Sequence, residues 1–344
     1  MWATLITNMY YLSRQSMGDV DDWPTLSVII PARNEDSTIG RLLLSLAEQD
    51  YPAFDIIVYN DASEDSTAKV VQAFAASHPG LQIELLDGKG PPEGWIGKVH
   101  ALYAATRNIT SDRLLFLDAD TRLIHPRSLR NLVTRHESYE KPIALTGLTR
   151  LRGKGMLLVS MIPNSILTGL PWIFTPHTKM RSIGAVNGQC WMVDSATYFQ
   201  YEPHEKVKNE VLEDVMIGRY FLENGVTPVL ANLQNEIEVF MYGSMGDAWR
   251  GFRKNAYLIV GGKPISFILL QLHFILMFLV SPFVHIVFLA STYLLKLTTD
   301  TIGRMPLRVT VLAPVSYFLA AMITMDSAFS TWTGRVQWKG RGVG

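Results

Sequence analysis

The chain has 344 residues, enough for one large domain or two ordinary ones, and its 31 basic and 31 acidic side chains cancel. That balance excludes a nucleic-acid binder working through a basic face. The single cysteine, Cys190, excludes an internal disulfide, and the 48% hydrophobic content is concentrated in the last quarter of the chain.

Residues 1–22 read as an N-terminal arm: Met1 to Leu12 carries Thr4, Thr7 and Asn8 and lacks the basic start and apolar core of a signal peptide. Leu26-Ser-Val-Ile-Ile-Pro31 predicts a buried strand, ended by Ala32-Arg33-Asn34-Glu35, with Ile39, Leu42, Leu43 and Leu46 marking one face of the next helix. The plan repeats as strand Asp55 to Asn60, polar turn Asp61 to Asp65, and helix Ser66 to Ser77. A third strand, Leu81 to Leu86, leads through the loop Asp87 to Lys98 into a helix containing Ala101, Ala104 and Ala105. Strands alternating with helices in this way predict an α/β fold with a mostly parallel sheet and helices on both faces.

Arg113-Leu-Leu-Phe-Leu-Asp118-Ala-Asp120 is the stretch that carries chemistry. A buried strand runs into two carboxylates, and extended alternation places Asp118 and Asp120 on one side at its C-terminal end, where ligands of open sheets sit. Hard oxygen donors there suit Mg²⁺ or Mn²⁺ sharing its shell with substrate phosphates; capping of the next helix is the plainer reading. The first turn, Pro31 to Glu35, has no glycine. That argues against dinucleotide-dependent hydride transfer and a P-loop, and it demotes a sugar nucleotidyltransferase.

Pro31-Ala32-Arg33-Asn34-Glu35, Asn60-Asp61-Ala-Ser63-Glu-Asp65-Ser66-Thr67 and Leu117-Asp118-Ala-Asp120 together resemble the family-2 inverting glycosyltransferases of GT-A fold. Gly94-Trp95-Ile-Gly97-Lys98 narrows the resemblance to a membrane-attached branch similar to the hopanoid-associated and carotenoid glycosyltransferases. The resemblance implies that Pro31, Ala32, Arg33, Asn34, Glu35 and Asp61 contact the nucleoside. It also implies Lys98 near the base or diphosphate, Asp118 near the ribose, and Asp120 as the metal ligand. Glu210-Val-Leu-Glu213-Asp214 opens a helix; by resemblance Asp214 is the catalytic base, with Glu213 the second candidate. The plain alternative is that these acids complement a helix N-terminus.

Residues 155–176 are apolar but broken by Pro163 and Pro171, which predicts one or two interfacial helices able to offer a lipid acceptor. Asn187 to Val193 predicts a strand near the acceptor, with Gly188 allowing close approach. Residues 227–231 and 236–240 read as edge strands. Trp249, Arg250 and Arg253 are candidates for the acceptor shelf and the diphosphate, or for a patch on anionic headgroups. The family's processive members carry Gln-x-x-Arg-Trp here; its absence favours transfer of a single sugar.

Ile265 to Leu295 has no Asp, Glu, Lys or Arg and predicts a span; Val309 to Met325 is a second, marginal one. Arg250, Arg253, Lys254 and Lys263 before the first span, and Arg335, Lys339 and Arg341 after the second, place both ends in the cytosol. The expected organisation is arm 1–22, GT-A catalytic domain 23–262, two-helix anchor 263–328 and basic cytosolic tail 329–344, multi-pass in the cell membrane. The expected reaction is metal-dependent, inverting transfer of one sugar from a UDP- or GDP-sugar to an isoprenoid-type lipid acceptor. A nucleotidyltransferase and a non-catalytic membrane adaptor are the rivals.

Overall fold

The computed structural model describes residues 1–15, 17–335, 337–338 and 341–342, so Lys339 and the side chain of Arg341 lie outside the described residues. It divides into two compact units: Thr7–Arg150 with Pro171–Val239, and Met1–Ile6 with Leu151–Leu170 and Phe240–Gly344.

The first unit is built on β1 (Leu26–Ala32), β2 (Phe54–Asp61), β3 (Gln82–Gly88), β4 (Arg113–Leu117), β5 (Thr121–Leu123), β6 (Ile143–Leu148), β8 (Cys190–Asp194), β9 (Thr227–Asn232) and β10 (Ile237–Phe240), while β7 (Arg150–Arg152) leaves it after Arg150. Seven of these form one sheet in the order β3-β2-β1-β4-β8-β6-β9. All neighbours are parallel except β8, which runs antiparallel to β4 and β6. The reason is in the residues: β1 and β4 are apolar runs buried on both faces, as a parallel sheet covered by helices demands. Ile39, Leu42, Leu43 and Leu46 on α2 (Ile39–Ala47) are all buried, as the spacing predicts. α3 (Thr67–Ser77), α4 (Gly97–Ala105) and α5 (Ser128–Glu137) follow their strands, and β5 pairs antiparallel with β10 through Arg122 opposite Glu238.

The second unit is helical. α1 (Trp2–Ser13) enters it with Trp2, whose indole donates to Ser291 at 2.9 Å. α6 (Met156–Val159) and α7 (Met161–Gly169) come next, and a short 3₁₀ turn, Trp172–His177, follows in the sheet unit. α8 (Ser195–Tyr201), α9 (Pro203–Lys206) and α10 (Glu213–Glu223) also belong to the sheet unit. α11 (Met245–Ile259), α12 (Pro264–Ile275), α13 (Ser281–Val284), α14 (Ile286–Ile302), α15 (Leu307–Val311) and α16 (Ala313–Trp332) complete the helical one.

The charge-free run from Ile265 is not one helix. A π-helical turn, Leu276–Val280, joins α12 to α13, and the chain then breaks at His285, which is extended (φ −153°, ψ 140°) and caps α14 by accepting from Val287 N–H at 3.2 Å. Among the described residues two stretches, Met156–His177 and Pro264–Val284, are long and apolar enough to cross a membrane. Val309 to Met325 is not one of them; it divides at Leu312 between α15 and α16. Lys296 and Asp300, which fall between the two expected spans, lie one turn apart inside α14 and are buried as an ion pair.

Candidate active site

The carboxylates converge where β4 ends. Asp118 and Asp120 do not continue the strand; they occupy a turn closed by Thr121, whose N–H and hydroxyl both donate to the Asp118 carbonyl at 3.1 and 2.8 Å. A turn rather than strand alternation thus sets their geometry. The Asp118 N–H donates to the Gln189 carbonyl at 3.2 Å, tying this turn to the segment before β8.

Lys98, near the start of α4, reaches the same place. Its ammonium lies 2.7 Å from Asp118 Oδ1 and 3.2 Å from Glu213 Oε1. Burial opposes its charge, but Asp118, Glu213 and Asp214 outweigh it and hold Lys98 protonated well above the usual lysine range. Burial likewise pushes Asp118 up, against the pull of Lys98.

Asp214 stands in the first turn of α10, which is seated by Gly218. A Cβ there would come within 2.3 Å of the Ala185 backbone, so only glycine lets the helix lie this close to the 184–186 segment. The carboxylate accepts from Gly188 N–H at 3.1 Å and from Val215 N–H at 2.8 Å. Burial, reinforced by the neighbouring Glu213, raises Asp214 to about 6; Lys98 and the two N–H groups limit the rise. A carboxylate held by donors and poised near neutrality suits proton abstraction.

Two interlocked loops line the sheet edge beside this cluster. Arg33 donates from one nitrogen to the Asp61 and Ala62 carbonyls, both at 2.8 Å, and pairs with Glu64 at 3.3 Å. Asn34 accepts from Glu64 N–H at 2.9 Å, while Glu35 N–H donates to the Thr67 hydroxyl at 2.8 Å. Asn34 (φ 53°) and Ala62 (φ 49°) are both left-handed, a strain that collects at functional edges. Asp61, at the end of β2, is buried; burial pushes His100 down and Tyr59 up, and the Asp61 charge raises both. Pro31 and Ala32 close β1 beside it.

Asp120 and Asp118 offer hard oxygens, and no group of three or more His, Cys, Asp or Glu forms a metal cage among the described residues. That donor set fits Mg²⁺ or Mn²⁺, which take few protein carboxylates.

The glycosyltransferase-like family 2 model matches residues 24–232, more than half the chain. The chain belongs to this family. Two Staphylococcus aureus 4,4'-diaponeurosporenoate glycosyltransferases are 36% identical over 113 residues and 37% over 112 residues; each match covers 33% of this chain and 28% of the relative. The chain therefore spans less than a third of the length of these relatives. The solved mannosyltransferase PcManGT from Pyrobaculum calidifontis, in complex with GDP-Man and Mn2+, superposes with a TM-score of 0.61 at 16% identity, covering 96% of this chain and 95% of that one. That likeness establishes the GT-A fold.

In this family-2 chain, three candidates fall outside the cluster's unit. Trp249 donates to Asp326 at 2.7 Å, Arg253 faces the same carboxylate at 4.0 Å, and Arg250 pairs with Asp247 at 2.6 Å, all within the helical unit. Conversely, His204 was not legible from sequence. It is fully buried, bonded through Nδ1 to the Tyr198 hydroxyl at 2.7 Å, and packed between Phe116 and Trp191; burial drives it down to about 3, so it stays neutral beneath the cluster.

Two predictions follow from this geometry. A Cβ on Gly188 would meet Asp214 Cβ and Oδ2 at 3.2 Å and Lys98 Nζ at 3.3 Å. Lys98 can swing away, but Asp214 is rooted in α10, so Gly188→Ala should displace the carboxylate and lower kcat roughly 10-fold with little change in nucleotide affinity. Lys98→Gln removes the cation that holds the Asp214 value down, so the acidic limb of the rate–pH profile should move to higher pH; an unmoved limb would uncouple the two residues.

Proposed function

We propose that this chain transfers one sugar, with inversion, from a nucleoside-diphosphate sugar (UDP- or GDP-linked) to a hydroxyl or carboxylate of an isoprenoid-type lipid at the membrane. The observation that carries the reading is Asp214, cradled by two N–H groups, raised to about 6 and surrounded by Lys98, Glu213 and Gly188. With a hydroxyl acceptor, Asp214 takes its proton as that oxygen bonds to the anomeric carbon; a carboxylate acceptor attacks already ionised and needs no base. The bond from that carbon to the diphosphate breaks, and its electron pair leaves with the nucleoside diphosphate. A divalent ion held at Asp120 supplies charge stabilisation for the leaving group when bound. Lys98 adds positive charge beside the diphosphate, and Asp61 with the Pro31-to-Glu35 turn holds the nucleoside. Glu213 anchors Lys98 and sets the field at Asp214.

The likeness to 4,4'-diaponeurosporenoate glycosyltransferases and the apolar helices support a lipid acceptor at a membrane, and the basic residues flanking the apolar stretches favour a cytosolic catalytic face. In the proposed organisation the sheet unit is catalytic and the helical unit anchors it. Titrating detergent-solubilised protein with UDP, GDP, CDP and ADP, with and without Mn²⁺, tests the donor side. UDP or GDP should bind and gain at least about 10-fold from Mn²⁺, and Asp120→Asn should erase that gain. Equal binding of all four with no metal effect would refute the reading.

A further inference from the structure

Residues 187–189, just ahead of β8, join the two halves of the proposed reaction. Gly188 N–H donates to Asp214 Oδ2 at 3.1 Å, and the next carbonyl, that of Gln189, accepts from Asp118 N–H at 3.2 Å. The base and the carboxylate turn after β4 thus hang from adjacent residues of one backbone segment. Asn187 is what fixes that segment. Cys190 N–H donates to the Asn187 carbonyl at 3.1 Å and closes a tight turn over Gly188 and Gln189. The Asn187 side chain locks the turn: Oδ1 accepts from Gln189 N–H at 3.2 Å, while Nδ2 donates to the Gly147 carbonyl at 3.0 Å and to Gln189 Oε1 at 3.3 Å. Its own N–H donates to the Thr146 hydroxyl at 2.7 Å, and the Thr149 hydroxyl donates to Gln189 Oε1 at 3.0 Å. Thr146 and Thr149 are both buried, so the turn is moored to β6 and the residue that follows it, away from water.

Asparagine at the head of a turn is common, because its side chain reaches its own backbone two residues on. What sets this turn apart is where its remaining polar groups go: to Asp214 and to Asp118 rather than to water. An amide supplies both the acceptor and the two donors used here; aspartate has no donor and alanine has neither. Resting on the reading of Asp214 as the base for a hydroxyl acceptor, we propose that Asn187 is a positioning residue for sugar transfer. Through the turn it locks, it keeps Gly188 N–H on the Asp214 carboxylate and sets the spacing between that base and the Asp118–Asp120 turn. The acceptor oxygen has to reach the anomeric carbon from the side away from the diphosphate, so transfer depends steeply on this spacing. The nucleoside seat proposed at Asp61 and the Pro31-to-Glu35 turn is built on the ends of β1 and β2, so donor binding depends on it less.

Asn187→Ala and Asn187→Ser test this in the full chain, with active sites counted by nucleoside diphosphate binding. Alanine removes all three side-chain contacts, whereas the serine hydroxyl makes the same turn more weakly. Lys98 and Glu213, the charged neighbours of Asp214, stay in place throughout. In the alanine variant kcat should fall roughly 30-fold, and in the serine variant about 5-fold, with donor KM within about threefold of wild type. The acidic limb of the rate–pH profile should also move up by about one pH unit in the alanine variant, since the carboxylate loses a donor that stabilises its charge. Unchanged kcat per binding site and an unmoved limb in both variants would reduce Asn187 to packing and overturn the proposal. Should the alanine variant not fold, Thr149→Val takes its place: it loosens Gln189 from outside the site and should lower kcat about threefold. An unchanged kcat there and in the serine variant overturns the proposal equally. A further arm needs no turnover. The pH at which the Asp214 and Asp214→Asn proteins diverge in stability should lie higher in the Asn187→Ser background than in wild type, and an unmoved divergence overturns the positioning role. A wild-type protein that transfers sugar from no donor, with the divergence shifted as expected, would sink the proposed reaction and leave Asn187 as the support of the Asp214 carboxylate.

Discussion

Asp214→Asn is expected to abolish sugar transfer, lowering kcat by about 10²–10⁴-fold, while nucleoside diphosphate affinity stays within roughly twofold. The asparagine keeps the size, but its single oxygen can accept from only one of the Gly188 and Val215 N–H groups, so basicity and one hydrogen bond of the seat are lost together. The same substitution also removes an ionisation penalty that grows with pH. The folded-state value of Asp214, about 6, lies above the ordinary 3.8, so the folded protein holds this proton more tightly than the unfolded chain does. That contribution is fully present below about pH 4 and is lost as pH rises through 6, leaving an ionised carboxylate that costs on the order of 3 kcal/mol at pH 7–8. The stability of the mutant relative to wild type should therefore rise from pH 4 to pH 8, on top of a pH-independent loss from the N–H group left without an acceptor. In wild type, turnover should rise with pH through about 6 as the base ionises. A mutant that loses nucleotide binding together with activity would instead show Asp214 to be part of the donor seat.

The second large effect is one of stability. Lys296 and Asp300 are buried in α14 as an ion pair, with Lys296 also donating to Ser160 at 3.0 Å and Asp300 accepting from Thr310 at 2.8 Å. The pair thereby ties α14 to the α6–α7 segment and to α15. Asn164 extends the network, donating to Thr299 at 3.3 Å and to the Tyr317 hydroxyl at 3.4 Å. Removing one partner strands a charge away from water, so Lys296→Met or Asp300→Leu alone should cost about 3–5 kcal/mol. The double replacement should recover most of that loss, since an apolar pair of similar volume is often tolerated. Thermal unfolding in detergent across the three variants gives the answer; additive losses would mean that the ion pair is not a unit.

Much of the sheet was legible because its strands are unbroken apolar runs. β1 and β4 could hardly lie anywhere but the middle of a parallel sheet, and the acids that follow them had to fall on its C-terminal edge. The site's wiring was less visible. That Lys98 bridges Asp118 and Glu213 depends on three segments meeting in space, and no local pattern announces it. Gly188 could be read as a place of close approach, but not that Asp214 and Lys98 are the groups approaching. His204 carries no periodic signal, since its partner Tyr198 lies on a different short helix. The C-terminal helices misled for a physical reason. Hydropathy averages over a window and cannot register a single residue such as His285, whose side chain caps a new helix and breaks the run. Nor does it distinguish loop charges from Lys296 and Asp300, which neutralise each other one turn apart.

The most direct test is the stereochemistry of the product. With an α-linked UDP- or GDP-sugar as donor, a proton NMR spectrum of the glycosylated lipid recorded early in the reaction should show the β anomer, with free nucleoside diphosphate released in equal amount. An α-linked product, or release of pyrophosphate or nucleoside monophosphate, would contradict a single base acting opposite a cation-held diphosphate.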